Sequence, residues 1–331
     1  MIERIYCIDG RGTNPYRNLG LEEYLLCHVR EGECILYLWQ NEKTVVIGRN
    51  QNAWKECRCG LLEADGGYLA RRLSGGGAVF HDLGNLNFTF LTRKKEFDIV
   101  RQSDVILRAV KRLGIHGERT GRNDITVNGR KFSGNAFYES AEASCHHGTI
   151  LLHADTEEMA KYLSVSKEKL KSKSVDSVKS RVANLSEFVP GITVQEMREC
   201  LTAGFCEGYG LPVEIYPPEF LDEKEVAGRT ERFASWEWKY GKNIAFSDEA
   251  GFRFSWGEVL IQARVIKGLA AELAIWSDAI DSTFTGLLEE CLVGVRWSRD
   301  AVGERLGTIP CENETQAEMK RDIGTLLSGM I

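Results

Sequence analysis

The sequence lacks a secretion signal and any run of residues apolar enough to cross a membrane. Residues 1–20 do not combine a basic start with an apolar core, and no later stretch approaches about 18 unbroken apolar residues. We therefore expect a cytoplasmic protein that does not contact a membrane.

Positive charge is also in short supply. The 48 aspartates and glutamates outnumber the 42 lysines and arginines and give a formal net charge of -6. Proteins that bind the nucleic-acid backbone usually present an excess of basic residues. This composition argues against nucleic acid as a partner.

The common metal and nucleotide motifs are missing as well. Among the ten cysteines, Cys57 and Cys59 are separated by one residue and have no second pair nearby, which excludes the zinc spacing of paired CxxC units. The triple glycine at 75–77 has neither the Gly-Lys-Ser/Thr of a P-loop nor the GxGxxG spacing of dinucleotide sites. A reducing compartment would keep the cysteines as thiols, and we expect most of them to be small core residues.

The 331 residues, of which 43% are hydrophobic, suffice for two cores. Strand-like runs outnumber helices early and do not alternate with them, which predicts an α+β fold with a mixed sheet. The pattern of predicted elements changes after Lys242, which predicts one domain at 1–245 and a second, small α+β domain at 246–331. Predicted strands are 34–39, 44–47, 68–71, 78–81, 87–91, 124–127, 131–137, 149–153, 259–266 and 269–276, with hairpins at 40–43 and 267–268. Predicted helices are 21–29, 99–113, one opening at the Thr193–Glu196 capping box, 283–292 and 315–330.

Three segments carry candidate chemistry. In RRLSGGGAVFHD at 71–82, three glycines between strands let the backbone approach an anion, and Arg71 and Arg72 add charged donors. In the second segment, Asn128-Gly129 predicts a tight hairpin that brings Asp124 and Lys131 close together, either as a structural salt bridge or as a charge that faces a cleft.

The third segment, HHGTILLH at 146–153, contains adjacent histidines. Successive side chains of a strand point to opposite faces, so His146 and His147 cannot easily bind one metal. We expect at most one of them to line a pocket.

Together these segments resemble the lipoate protein ligase A family, which shares the cofactor-transferase fold of biotin ligase catalytic domains. The matching motifs are RRLSGGGAVFHDLGN at 71–85, GRNDI at 121–125, GRKFSGNA at 129–136, HHGTILL at 146–152 and SRVANLSE at 180–187, with softer matches TVVIGRNQNAWKEC at 44–57 and SWEWKYGK at 235–242. The region after 245 also resembles the accessory domain of the longer ligases.

The resemblance implies an ATP-dependent ligase that activates lipoate as lipoyl-AMP and transfers it to a lysine of apo lipoyl domains, namely E2 subunits of 2-oxoacid dehydrogenases and the glycine cleavage H protein. Lys131 would be the catalytic residue. Residues implied to hold ATP or the adenylate are Arg71, Gly76, Gly77, Ala78, Val79, Asn123, Asp124, Lys131, Ser180 and Arg181. Residues implied to bind lipoate are Arg71, Ser74, Gly75, His81, Lys131, Gly134, Ala136 and His147.

Asp124 would also be the ligand of a Mg²⁺ that accompanies ATP. The lysine-rich run 167–179 would be an exposed loop that closes over the adenylate. We expect a monomer. The sequence leaves open the preferred acceptor, the choice between lipoate and octanoate, and the extent of domain rotation.

Two other functions compete with this one. An ATP-independent octanoyl or lipoyl transferase of the same fold would use a cysteine thioester, with Cys145 as the nucleophile to test. A lipoate-binding protein without turnover is the second alternative. The C-terminal domain and the motifs GRNDI and GRKFSGNA favour the ligase over the transferase, and the charges of Lys131 and Arg71 favour it over the binding protein.

Overall fold

The computed structural model describes residues 1–10, 12–121, 123–164, 182–241 and 245–331. The chain divides into two compact units. The first consists of Met1–Val46, Cys57–Ala70 and Val79–Ser235, and the second of Ile47–Glu56, Arg71–Ala78 and Trp236–Ile331. The second unit therefore includes two short early segments, one of them with the triple glycine. The continuous domains 1–245 and 246–331 stay a prediction.

An eight-stranded mixed sheet dominates the first unit. The strands of this unit and its small sheet are β1 (Arg4–Asp9), β2 (Glu33–Trp39), β3 (Thr44–Ile47), β4 (Tyr68–Arg71), β5 (Val79–His81), β6 (Asn85–Arg93), β7 (Gly117–Thr120), β8 (Asp124–Val127), β9 (Arg130–Glu139), β10 (Ala143–Leu151) and β11 (Val213–Ile215). The large sheet has the order β11-β1-β2-β6-β10-β9-β8-β7. Strand β1 runs parallel to β11 and β2, and the other neighbours are antiparallel. The predicted α+β class with a mixed sheet is confirmed.

The helices of the first unit cover both faces of this sheet. They are α1 (Pro15–His28), α4 (Ile99–Arg112), α6 (Val194–Tyr209) and α7 (Glu223–Ala234), whereas α3 (Cys59–Ala64) contacts α5 (Thr156–Tyr162) and α5 contacts β5 of the small sheet. Helix α2 (Ala53–Glu56) belongs to the second unit. Apolar residues of α4 and α6 form the main core with one face of the sheet, for example Ile106 and Phe205 with Phe90. Helix α1 contacts strands β6 and β10 and packs against α7. The predicted capping box is confirmed, because Glu196 N donates to Thr193 Oγ1 over 3.1 Å and Thr193 N donates to Glu196 Oε2 over 2.8 Å.

The hairpin predicted at 40–43 is wrong. Strand β2 pairs with β1 and β6 in the large sheet, whereas β3 belongs to a separate three-stranded sheet of order β4-β3-β5. The segment 40–43 that connects β2 to β3 is held by tertiary contacts, since Asn41 is fully buried and accepts a hydrogen bond from Asn18 Nδ2 over 3.0 Å. A polar connection that carries such a buried side chain cannot be distinguished by composition from a solvent-exposed turn.

The strand predicted at 149–153 starts too late. Strand β10 begins at Ala143 and pairs with β6 along its whole length, so both histidines of the HHG motif lie inside it. The burial of nearly every residue hides the period of two on which the prediction relied.

The C-terminal region of the second unit packs three helices on a three-stranded antiparallel sheet. The strands are β12 (Asp248–Arg253), β13 (Glu258–Ile266) and β14 (Leu269–Ser277), and the three packed helices are α9 (Ser282–Leu292), α10 (Arg299–Gly307) and α11 (Glu314–Met330). The short helix α8 (Trp236–Tyr240) precedes them in the chain. The hairpin predicted at Lys267-Gly268 is confirmed, with φ values of 51° and 77° at its two residues. Within the described residues, no helix is both long and apolar enough to span a membrane.

Candidate active site

The hairpin of β8 and β9 brings Asp124 and Lys131 together. Asn128 and Gly129 form its turn with φ values of 50° and 74°, which asparagine and glycine tolerate best. Lys131 Nζ lies 2.7 Å from Asp124 Oδ1. The two side chains are 36% and 38% exposed, although the Asp124 Oδ1 atom that faces the ammonium group is itself shielded from solvent. The predicted proximity of these residues is confirmed.

Gly134 provides the space in which the Lys131 side chain lies. A Cβ atom at position 134 would sit 2.8 Å from both Cε and Nζ of Lys131, which is closer than real Cβ atoms approach. The backbone N–H of Gly134 donates to Thr149 Oγ1 over 3.2 Å, which ties β9 to β10. Ala136, two residues further along β9, is opposite His147.

Asn123 precedes Asp124, and its carbonyl oxygen is bound twice by the same residue. The backbone N–H of Asn135 donates to it over 2.9 Å, and Asn135 Nδ2 donates over 3.0 Å. Asn135 is buried between the two predicted residues Gly134 and Ala136, yet the sequence did not single it out. An asparagine in a strand is the signal that could have found it, because a buried amide needs partners.

His147 lies on the face of the sheet that helix α1 covers. Its Nδ1 atom is 2.8 Å from Glu22 Oε1, which also accepts a hydrogen bond from Thr89 Oγ1 over 2.7 Å. Glu22 is 2% exposed and His147 is 6% exposed. Glu22 was missed, because two adjacent acids in the otherwise apolar stretch LGLEEYLL look like exposed residues of an amphipathic helix.

The buried polar chain continues from Thr89 to His81. Trp39 Nε1 donates to Thr89 Oγ1 over 3.0 Å, and the Trp39 ring lies 6.1 Å from the His81 ring between centroids. His81 Nδ1 is 3.2 Å from Asn41 Nδ2. The two histidines predicted to line one pocket are therefore connected through Trp39, Thr89 and Glu22.

Cys145 lies next to this chain as a protonated thiol. Glu22, Cys145 and His147 bring potential ligand atoms within 4.8 Å of one another. Burial, and secondarily the charge of Glu22, raise the pKa of the Cys145 thiol well above its usual range. A metal ligand or a nucleophile must be a thiolate, so this environment favours an inert core cysteine. All ten cysteines are free thiols: four are buried, four are partly buried and pack against the two cores, and two are exposed.

In the second unit, Arg71 joins three segments through its guanidinium group. The side chain is 5% exposed, and burial lowers its pKa to about 10. Its nitrogens donate over 2.6–3.2 Å to five backbone carbonyl oxygens, those of Gly48, Arg49, Gln51, Trp238 and Lys239. These contacts join the motifs at 44–57 and 235–242 to the start of the triple-glycine segment. A contact of Arg71 with a bound ligand stays a prediction.

The Arg72 side chain holds together the glycine loop, residues 74–78, by hydrogen bonds to its members. Its guanidinium donates to the carbonyl oxygens of Gly75 and Gly77 over 2.6 Å and 2.9 Å, and its Nε donates to the buried Ser74 Oγ over 3.0 Å. Gly76, at a φ of 87°, reverses the chain in a conformation that favours glycine. The loop thus folds around a cation, with Gly76 N donating to the Ala279 carbonyl over 3.0 Å.

The remaining predicted residues divide between the units. Ala78 ends the loop in the second unit, and Val79 opens β5 in the first. Ser180, Arg181 and the predicted lid at 167–179 lie outside the described residues.

Two family models match the chain. The lipoyl protein ligase A/B catalytic domain matches residues 14–206, and the bacterial lipoate protein ligase C-terminus matches residues 243–327. A lipoate-protein ligase A of Psychrobacter cryohalolentis is 37% identical over 328 residues, which cover 96% of this chain and 96% of that protein.

Solved structures agree with these matches. LipL1 of P. falciparum, in complex with lipoate, has a TM-score of 0.85 and 29% identity and covers 97% of this chain and 99% of its own. A lipoate-protein ligase A bound with ATP has a TM-score of 0.63 and 25% identity and covers 73% of this chain and 99% of its own. This chain belongs to the lipoate protein ligase A family and is a ligase.

Proposed function

We propose that this ligase is ATP-dependent, activates lipoate as lipoyl-AMP, and transfers the lipoyl group to a specific lysine of apo lipoyl domains of E2 subunits and of H protein. The observation that carries the proposal is the Lys131 ammonium group, half-exposed and fixed beside Gly134 by Asp124. An adenylating site needs such a cation where phosphate and carboxylate meet. The ATP complex and the lipoate complex of the two solved relatives support the substrates.

In the first half-reaction, a carboxylate oxygen of lipoate attacks the α-phosphorus of ATP. The new O–P bond forms as the bond between the α-phosphorus and the α,β-bridging oxygen breaks, and pyrophosphate leaves with that electron pair. Negative charge grows on the non-bridging oxygens of the α-phosphate. Lys131 stabilises it as a point charge that is already in place, which lowers the barrier because the site needs little reorganisation.

In the second half-reaction, the ε-amine of the acceptor lysine attacks the acyl carbon of lipoyl-AMP. AMP leaves, the amine loses a proton, and an amide results. Lys131 again faces the oxygen on which charge develops. No covalent bond to the enzyme is required, which is consistent with a Cys145 thiol kept protonated by burial.

The glycine loop is the proposed phosphate-binding element. Arg72 binds the carbonyl oxygens of Gly75 and Gly77, so it can orient the amides of Gly77, Ala78 and Val79 toward an anion. Gly76, whose amide donates to the Ala279 carbonyl, is proposed for ATP binding on the family resemblance alone. We propose that Arg71 serves ATP and lipoate at the base of this loop and that Asn123 and Asp124 contact the adenylate. Ser180 and Arg181 are also proposed for adenylate binding, on the family resemblance alone.

Lipoate is proposed to lie along the residues between Lys131 and the buried histidines. Its carboxylate would face Lys131, and its chain would pass Gly134 and Ala136 toward His147 and His81. Ser74 and Gly75 are proposed for lipoate binding on the family resemblance alone. Mg²⁺, when bound, offsets polyphosphate charge and takes most of its ligands from phosphate and water. Asp124 would supply one partly exposed carboxylate to it.

The test is lipoylation of an apo lipoyl domain with free lipoate and Mg²⁺, followed by intact mass with and without ATP. We expect a mass increase only with ATP, accompanied by AMP and pyrophosphate. Transfer from an acylated carrier without ATP, lost in Cys145→Ala, would instead establish the thioester transferase. Lipoate binding without formation of any product would indicate a lipoate-binding protein without turnover.

A further inference from the structure

His146, the histidine that no proposed step uses, is buried in the main core. It is fully buried in the middle of β10, on the face opposite His147. The rings of Phe137, Phe88 and Phe90 lie 4.8 Å, 5.5 Å and 5.8 Å from its ring between centroids. Burial, followed by the charges of His147 and Arg119, lowers the pKa of His146 to about 3. The ring is therefore neutral and carries one N–H.

Both ring nitrogens nevertheless have partners. Nε2 lies 2.8 Å from Asn135 Oδ1, and Nδ1 lies 3.1 Å from Gln102 Oε1 on helix α4. The Asn135 amide nitrogen already donates to the Asn123 carbonyl, so its oxygen must face His146. Nε2 is then the protonated nitrogen, and Nδ1 is an acceptor.

This tautomer also accounts for Gln102. Its Nε2 group is buried and has no hydrogen-bond partner within the described part of the chain. A half-turn of the amide about its last torsion angle lets Nε2 donate to His146 Nδ1. The chain of hydrogen bonds then runs in one direction, from Gln102 through His146 to Asn135 and on to the Asn123 carbonyl oxygen.

The end of this chain is the turn that presents Asp124. Asn123 is the residue before Asp124, whose carboxylate holds Lys131 Nζ at 2.7 Å. We propose that His146 and Asn135 are positioning residues, which hold the Asn123–Asp124 turn against helix α4 and thereby set where Asp124 places the Lys131 ammonium group. The inference rests on the proposed function of Lys131 and adds to it how that residue is oriented.

The test compares three variants of strand β10. His146→Phe fills the core but removes both hydrogen bonds, while His146→Gln can still donate to Asn135 Oδ1 from a similar position. Ser144→Ala is the matched control, because Ser144 is fully buried on the same face of the same strand and its Oγ has no hydrogen-bond partner in the described residues. Lipoate-dependent ATP–pyrophosphate exchange is measured below the melting temperature of every variant.

We expect His146→Phe to lower kcat by about 10- to 100-fold with KM for ATP and lipoate changed less than about threefold, since a misplacement of about 1 Å costs up to about 100-fold. His146→Gln should recover most of kcat, and Ser144→Ala should match the wild type. A merely structural role would lower the melting temperature of His146→Phe and leave kcat of the folded enzyme unchanged. That result would overturn the inference.

A second measurement separates this inference from the proposed function. The ¹⁵N shifts of the His146 ring in the wild-type protein should report a neutral ring with the proton on Nε2 from pH 5 to pH 8. A proton on Nδ1 would refute the chain of hydrogen bonds even if the enzyme is active. Absence of exchange in the wild type, with the expected tautomer present, would refute the proposed function instead.

Discussion

Gly134→Ala should lower the activity of the enzyme while leaving its stability nearly unchanged. The new Cβ would lie 2.8 Å from Lys131 Nζ, so the ammonium must retreat by at least about 0.6 Å to reach the 3.4 Å at which ordinary contact begins. A displacement of this size predicts a fall in kcat of about 10- to 100-fold, or about 1.4 to 2.7 kcal/mol in activation free energy. The lysine is a flexible side chain, so the fold can accommodate the methyl group.

The stability of Gly134→Ala should stay within about 1 kcal/mol of the wild type. Weakening a half-exposed ion pair costs about 0 to 1 kcal/mol, and alanine restricts the unfolded chain by about 0.4 to 1 kcal/mol in the opposite sense. The assays are urea denaturation and ATP–pyrophosphate exchange. Gly228→Ala on α7, where a Cβ meets nothing within 4 Å, is the control. Wild-type kcat and KM in Gly134→Ala would refute this account of how Lys131 is held.

Three further predictions concern buried polar groups. Arg71→Lys replaces a group with five N–H donors by one with three, so at least two of the five carbonyl oxygens lose their donor. We expect the free energy of unfolding to fall by about 2 kcal/mol or more in calorimetry, and an unchanged melting temperature would contradict this prediction. Glu22→Leu leaves the donors of Thr89 and His147 without an acceptor and should lower the free energy of unfolding by about 3 kcal/mol in urea denaturation. Glu22→Gln keeps an acceptor and should lower it less, and equal losses in the two variants would argue against the hydrogen bonds. His146 binds its proton less tightly when folded, with a pKa of about 3 against 6.5, so it stabilises the fold above pH 6.5 and loses up to about 1.4 kcal/mol per pH unit as the pH falls toward 3. His146→Phe should flatten the stability curve in that window, and a curve as steep as that of the wild type would exclude the shift.

Local turn and cap chemistry made part of the fold predictable. Asn128-Gly129 specifies a tight turn by its backbone preferences, so the pairing of β8 with β9 and the proximity of Asp124 to Lys131 could be inferred from eight residues. The capping box at Thr193 and the turn at Lys267-Gly268 were predictable for the same reason. Each of these signals depends on neighbours in sequence.

The errors occurred where partners are distant in sequence. The connection at 40–43 looked like a turn because its burial comes from Asn18 and His81. Glu22 and Asn135 have buried partners up to 125 residues away, and neither residue type is rare on a surface. Composition cannot reveal such partners, because the sequence does not distinguish a polar residue that is buried in a core from one that is exposed to solvent.

The site was predicted through motifs rather than through geometry. The triple glycine suggested an anion-binding loop, but only the structure connects its carbonyls to Arg72. Arg71 looked equally suited to a ligand, yet its five carbonyl partners come from segments around residues 50 and 238, which no local pattern links. Two adjacent arginines therefore have different surroundings that the sequence cannot separate.

The most direct test of the central claim is ATP–pyrophosphate exchange without any acceptor domain, because it detects the adenylate step alone. The wild-type enzyme should catalyse exchange that requires lipoate, and Lys131→Ala should lose about 100- to 1,000-fold of it while keeping its fold by circular dichroism. Exchange in Lys131→Ala at the wild-type rate, or lipoylation by the wild type without any exchange, would contradict the account.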